Sequence, residues 1–427
     1  MSIRKSLYER VRDRSVLLSA WRVIRANAER SGSKASASAA REFEENLFPN
    51  IENIQLKLRK HNYEFAKARG VAVRKGKNKV GKRGIVIATL RDRVVQRAIL
   101  DVVYRYNDAP AIAEVLNTRT SVGGVPKLGI GHALALIEQA VERGAEYIIK
   151  SDIQDFFPSL PRANALAFMR RHITDEKFVR LFEQAVTVEL ENHDDLEEDV
   201  TLFPIGTDGI AQGSPLSVLA GNIVLREFDS QLNGRGITCV RYIDDFIILA
   251  PTKRSAEKAL KNGLKILSDL NLKAYSPHDG TDKASAGPAN KPFDFLGYRI
   301  VRGLNAPSTA ARNKLLEKLE GEFAEGRKQI SRCIKYDLAE PKVRQCYVQT
   351  LTRIDSILRG WAGAFQYSQS MHSLTALDAK IDQKLAAFET WFGNSVAREP
   401  SHLQRRALGI RLLGDTISRP LPSLADE

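Results

Sequence analysis

The segment CVRYIDDFIILA at 239–250 constrains this chain more than any other: two apolar, β-type runs meet at the adjacent carboxylates Asp244 and Asp245. That is the pattern of a tight hairpin with its acids at the tip. Two like charges repel, and apolar flanks withdraw them from water, so a cation is expected there. Asp152, at the end of the strand-like run YIIKSDI (147–153), joins them if the two strands are neighbours in one antiparallel sheet. Oxygen donors of this kind, with no histidine or thiol close in sequence, select Mg²⁺ or Mn²⁺ over zinc. Two such ions about 3.5–4 Å apart would activate an attacking hydroxyl and stabilise a leaving pyrophosphate. Taken alone, Asp-Asp also fits an ordinary turn.

Charge placement narrows the partner. The net charge is +14, and the first 101 residues hold 24 of the 65 Lys+Arg but only 10 of the 51 acids, so the whole excess is N-terminal. Residues 70–83 carry Arg74, Lys75, Lys77, Lys79, Lys82 and Arg83 without an acid, a density suited to phosphate contacts with counterion release, although a solvated basic loop has the same composition. The 427 residues suffice for two or three packed domains. Cys239, Cys333 and Cys346 lie far apart with no CxxC pair, which indicates reduced, cytosolic thiols rather than a disulfide framework or zinc site. Charges throughout residues 1–20 exclude an apolar signal core, and no stretch approaches a membrane span.

Local patterns predict helices over 1–70 interrupted by an exposed loop at SGSKASASAA (31–40), a strand at Gly84–Leu90 and a helix over Arg91–Tyr106. TSVGGVPKLGIG (120–131) reads as a loop, and the acidic run Asp194–Asp199 as a solvated excursion. Ser214 and Pro215 make a good helix start for a helix running towards Leu232. An amphipathic helix at 254–270, a short β element at 293–302 and an almost wholly helical 308–427 complete the reading.

YIDD (242–245), SDIQDFF (151–157), AQGSPLS (211–217) and RGIVIATLRDRVVQRAIL (83–100) together resemble the bacterial reverse transcriptases of the group II intron and retron-like superfamily. FDFLGY (293–298) and LRGWAGAF (358–365) extend the likeness into the primer-grip and thumb regions, so that it covers about residues 15–370. The resemblance implies catalytic Asp152, Asp244 and Asp245, two Mg²⁺ ions (Mn²⁺ as a substitute) held by these acids and Ile153, and dNTP contacts from Arg83, Arg91, Phe157, Gln212 and Gly213. Phe157 falls where the family blocks a ribose 2′-hydroxyl, though a core phenylalanine would look the same. Arg74, Lys75, Lys77 and Lys79 are the expected RNA contacts. The lysine that follows the palm helix in the family has two candidates, Lys273 and Lys283.

The implied fold is α+β, a right-hand polymerase: N-terminal extension and fingers at 1–139, a ferredoxin-like palm with interleaved finger elements at 140–304, and an α-helical thumb and tail at 305–427. Trp361 and Phe365, at helical spacing, are expected in the thumb core. TSVGGVPKLGIG replaces the FRPGRS-like stretch of intron enzymes, no Cys/His-rich endonuclease module follows the thumb, and the retron Asn-Ala-x-x-His and Val-Thr-Gly motifs are missing. The remainder resembles stand-alone, cytoplasmic, defence-associated (anti-phage) reverse transcriptases that copy a structured non-coding RNA into cDNA. The rivals are a retron-type or intron-derived reverse transcriptase, an RNA-dependent RNA polymerase, and a maturase-like RNA-binding factor without catalysis.

Overall fold

The computed structural model describes residues 5–31, 33–75, 81–106, 109–301, 303–339 and 345–415. They form two compact units, Met1–Ala289 and Asn290–Glu427, and the α+β class expected from the sequence is the one the chain adopts.

The first unit opens with helices Leu7–Val11, Arg14–Arg30, Lys34–Glu45 and Leu47–Arg59. The third overturns the loop expected at 31–40. Ser33 caps it by accepting from the Ser36 N–H, and alanine carries the highest helix propensity of any residue, so the Ser/Ala composition that looks like a linker is a helix. Strands β1 (Arg69–Arg74) and β2 (Lys82–Ile87) pair antiparallel, with Gly70 opposite Val86; helix Leu90–Tyr106 follows.

The acids at 194, 195, 197 and 198 are exposed, as a solvated excursion requires, but the segment is tethered. It folds as 3-10 turns over Asp194–Leu202, kinked at Glu197, and its Leu196 and Leu202 pack on a small cluster made by Ala68, Val86, Val188, Leu190, Phe203 and Ala211. Asn192 exchanges two hydrogen bonds with the backbone of Gly70, and Asp199 pairs with Lys82 at 2.6 Å. Leu196 within the acids and Leu202 just after them anchor the segment. The helix expected from Ser214 begins instead at Ser217 and is broken in two, Ser217–Val224 and Arg226–Gln231. Ser214 and Pro215 sit in the tight turn before it, where the Ser214 hydroxyl accepts from the Leu216 N–H and the Ser217 hydroxyl donates to the Ala211 carbonyl.

The central sheet contains β3 (Tyr147–Asp152), β4 (Thr238–Tyr242), β5 (Asp245–Ala250) and β6 (Ser285–Pro288), ordered β4-β5-β3-β6 with every pairing antiparallel. Helix Lys253–Asp269 packs on β3 and β5, and helix Ile130–Glu142 on β4. Ile149, Phe246, Ile248 and Ala250 are buried in the large apolar core of this unit, which is why these strands read as apolar runs.

In the second unit β7 (Phe293–Phe295), β8 (Tyr298–Val301) and β9 (Leu304–Pro307) form a meander. Leu296 and Gly297, both at positive φ, make the first turn. The unit boundary at Ala289/Asn290 places these strands with the helices that follow, Thr309–Tyr336, Tyr347–Ala364, Met371–Val396 and Ser401–Leu408. Leu319, Phe323, Ile354 and Phe388 are at the centre of this helical core, and Trp361 packs against it as expected; Phe365 contacts Trp361 and Tyr298 at ring distances of 4.5 and 5.0 Å. All three cysteines are free and buried, and among the described residues no helix is long and apolar enough to cross a membrane.

Candidate active site

β3 and β5 lie side by side in the register that sets Asp152 opposite Asp245, so the condition on which the three acids converge is met. The Ile153 N–H donates to the Asp244 carbonyl at 3.0 Å, locking the end of β3 to the hairpin tip. Beyond the tip, the Gln154 N–H donates to the Lys273 carbonyl and the Tyr275 N–H to the Asp152 carbonyl. None of these bonds uses the carbonyl of Ile153.

Burial pushes the Asp244 carboxyl above its ordinary range, and the charge of Asp152 adds to this; Lys283 and Arg83 pull the other way. Asp245 is pushed up to about 6, by burial first and then by Asp152 and Asp244, against Lys283 and Lys150. Lys283 donates its ammonium directly to Asp152. Desolvation works against its charge, but the bond to Asp152 and the charges of Asp152 and Asp245 outweigh this and hold it above the usual lysine range. Of the two lysine candidates, Lys283 meets the acids, whereas Lys273 enters the hydrogen-bond network described above through its backbone.

Among the described residues no three acid, imidazole or thiol side chains stand close enough to hold an ion as they are. The donor chemistry nevertheless fits hard divalent cations. Three carboxylates share one end of the sheet, and two of them are held above their ordinary range by burial and carboxylate repulsion that Lys283, Arg83 and Lys150 only partly offset.

The nucleotide-contact candidates divide. Gln212 accepts the Val86 N–H through its carbonyl, and the Ile210 N–H donates to the Phe157 carbonyl. These bonds tie β2, the 210–213 stretch and the short helix Phe156–Ser159 together. Gly213 has φ +118°, and a Cβ there would lie 3.0 Å from the Val86 carbonyl oxygen, so the close approach depends on glycine. Phe156 is buried and touches Gly221, while Phe157 is only partly buried on the rim of the core. Arg83, exposed on β2, acts on Asp244 through its charge. Arg91 is engaged elsewhere, donating to the Glu64 carbonyl and lying over the Tyr63 ring. Of the expected RNA contacts, Arg74 is exposed at the end of β1 and Lys75 pairs with Asp155 at 3.3 Å; Lys77 and Lys79 lie outside the described residues.

Sequence reasoning missed Arg241 and Asp229, a fully buried ion pair directly behind the tip. The available signal was a charged residue inside an otherwise apolar strand.

A family model described as "Reverse transcriptase (RNA-dependent DNA polymerase)" matches residues 73–300. Protein YkfC of Escherichia coli (strain K12) is 25% identical over 278 residues, covering 56% of this chain and 68% of that protein. An uncharacterized 91 kDa protein in a cob intron of Schizosaccharomyces pombe is 28% identical over 179 residues, covering 42% of this chain and 20% of that one. Among solved structures, the partial Cas6-RT-Cas1–Cas2 complex aligns with a TM-score of 0.35 at 21% identity, over 62% of this chain and 43% of that chain. Apo telomerase from Candida tropicalis aligns with a TM-score of 0.42 at 13% identity, over 81% and 64%.

Proposed function

The chain belongs to the reverse transcriptase (RNA-dependent DNA polymerase) family, and from that premise we propose that it extends a primer with dNTPs along an RNA template by two-metal nucleotidyl transfer. The observation that carries this reading is the register placing Asp152 against Asp245, with Asp244 tied to Ile153. Asp152, Asp244, Asp245 and the Ile153 carbonyl would hold two Mg²⁺, or Mn²⁺. When bound, such ions supply activation of the primer 3′-hydroxyl and charge stabilisation of the pyrophosphate. Lys283 serves as counter-charge to Asp152 and must yield that carboxylate for ligation.

The remaining contacts follow from the chain's own residues. Arg83 presents a guanidinium that can hold phosphate oxygens bidentately, Gly213 admits the nucleotide close to the backbone, and Phe157 crowds the position of a 2′-hydroxyl. Arg83→Ala is expected to raise the KM for dNTP about 10–100-fold, the loss of one charge-assisted pair, with RNA affinity nearly unchanged. Steady-state kinetics alongside RNA titration check this; an unchanged KM returns Arg83 to the exposed surface.

The reading is tested by offering the purified protein an RNA template with a DNA primer, Mg²⁺, and either dNTPs or rNTPs. DNA product supports it. RNA product from rNTPs would make the protein an RNA polymerase, and tight RNA binding without product under any metal would favour the maturase-like rival. The finer reading, a structured non-coding RNA template and an anti-phage role, rests on the departures from intron and retron motifs. Sequencing the nucleic acid that co-purifies with the protein tests it: a heterogeneous RNA population would count against a dedicated template.

A further inference from the structure

Ile243, between the tyrosine and the two acids of the hairpin, has φ +64°. For a β-branched residue this left-handed region costs about 1–3 kcal/mol and persists only when the surroundings enforce it. The two-residue turn between Tyr242 and Asp245 asks for positive φ at its first position, and Arg241 fastens that turn through the Ile243 carbonyl. Its guanidinium, wholly buried, takes both oxygens of Asp229 on helix Arg226–Gln231, with Nε 2.7 Å from Oδ1 and Nη2 2.5 Å from Oδ2. Nη2 also reaches Ser121 Oγ at 2.7 Å and Asn222 Oδ1 at 3.0 Å. The remaining arm, Nη1, donates to the Ile243 carbonyl at 2.8 Å. The backbone of Arg241 is clamped as well: its N–H donates to the Thr120 carbonyl, and its carbonyl accepts the Val122 N–H. The 120–124 loop presses directly on the tip, because a Cβ on Gly123 would lie 2.5 Å from the Ile243 nitrogen.

We propose that Arg241, oriented by Asp229, is the positioning residue that sets the direction in which Asp244 and Asp245 leave the hairpin. The peptide plane before Asp244 carries the carbonyl that Arg241 holds. The plane after it carries the carbonyl that accepts from Ile153. With both planes pinned, the Asp244 backbone has no soft dihedral left, and its Cα–Cβ bond leaves the hairpin in one direction. Stability alone does not account for a guanidinium here, since a buried ion pair can commonly be replaced by apolar side chains of similar volume at little or no cost. An apolar pair, however, has no donor for the Ile243 carbonyl. The inference rests on the reading of Asp152, Asp244 and Asp245 as metal ligands.

Two variants test it. Arg241→Met combined with Asp229→Leu removes both charges together, so no ion is left buried alone and the fold should persist. Arg241→Lys keeps a charge for Asp229 but cannot span Asp229, Asn222 and the Ile243 carbonyl at once, because a lysine carries no planar fork. Each is compared with wild type by thermal unfolding, by Mn²⁺ titration without nucleic acid, and by DNA synthesis across a Mg²⁺ series. Groups that orient metal ligands typically contribute about 10–100-fold to metal affinity or activity. The expected result is therefore a folded double variant with Mn²⁺ affinity weakened by about that factor, a matching rise in the Mg²⁺ needed for half-maximal rate, and little change in KM for dNTP at saturating metal. Wild-type Mn²⁺ affinity and Mg²⁺ dependence in the folded double variant would overturn the inference. Should that variant unfold, Arg241→Lys decides on the same two readouts. A wild-type protein that binds Mn²⁺ but makes no DNA sinks the polymerase reading and leaves the Mn²⁺ comparison to judge Arg241.

Discussion

Asp244→Asn is expected to leave a folded, RNA-binding protein whose DNA synthesis is lower by about 10³-fold or more, since a lost ligand charge forfeits several kcal/mol of transition-state stabilisation. Its stability should move the other way. Burial and Asp152 hold the Asp244 carboxyl above its ordinary range, so the folded state binds that proton more tightly than the unfolded chain does. The charged form therefore weakens the fold as pH rises through the raised value, and at neutral pH the substitution removes that repulsion. In EDTA, Asp244→Asn should melt no lower than wild type. Asp152→Asn should be equally inactive but melt lower, because it deprives Lys283 of its partner. Primer extension with thermal unfolding in EDTA separates the two variants. Near wild-type synthesis by Asp244→Asn would sink the ligand assignment, and a large drop in its Tm would mean that the acid is structural.

Phe157→Val is expected to reduce the preference for dNTP over rNTP by about 10²-fold, the scale on which an apolar wall rejects one added hydroxyl, with dNTP turnover only modestly lower. The neighbouring ring supplies the control. Phe156 is buried against Gly221, and Phe156→Ala should cost about 3–5 kcal/mol of stability without altering sugar preference in whatever protein remains folded. Competition between dNTP and rNTP on the same template, measured with both variants, distinguishes a steric gate from a packing residue. An unchanged ratio in an active Phe157→Val protein would place Phe157 with its neighbour in the core.

Reading segments by composition succeeded only in part. The Ser/Ala run at 31–40 and the acidic run at 194–199 were both read by composition, which reports average solvation and not the few residues that anchor a segment. Ser33 as a cap reversed the first reading; in the second, Leu196 and Leu202 add apolar anchors that composition hides, while Asp194, Asp195, Glu197 and Glu198 stay exposed as expected. The helix start moved from Ser214 to Ser217 because a Ser-Pro pair serves a tight turn as well as a cap.

The central strands, the hairpin with Asp244 and Asp245 at its tip, and the carboxylate ending β3 were determined by the sequence itself. Each depends on alternation or adjacency within about ten residues, the range over which side-chain periodicity sets backbone conformation. Which lysine faces the acids, which phenylalanine stays partly exposed, and what surrounds the arginine that holds the Ile243 carbonyl were decided only by tertiary structure. Lys283 and Asp152 are 131 residues apart and Arg241 and Ser121 are 120 apart. Such pairs are chosen by strand register and by the high cost of leaving a buried charge or carbonyl without a partner, and neither quantity exists until the chain has closed on itself.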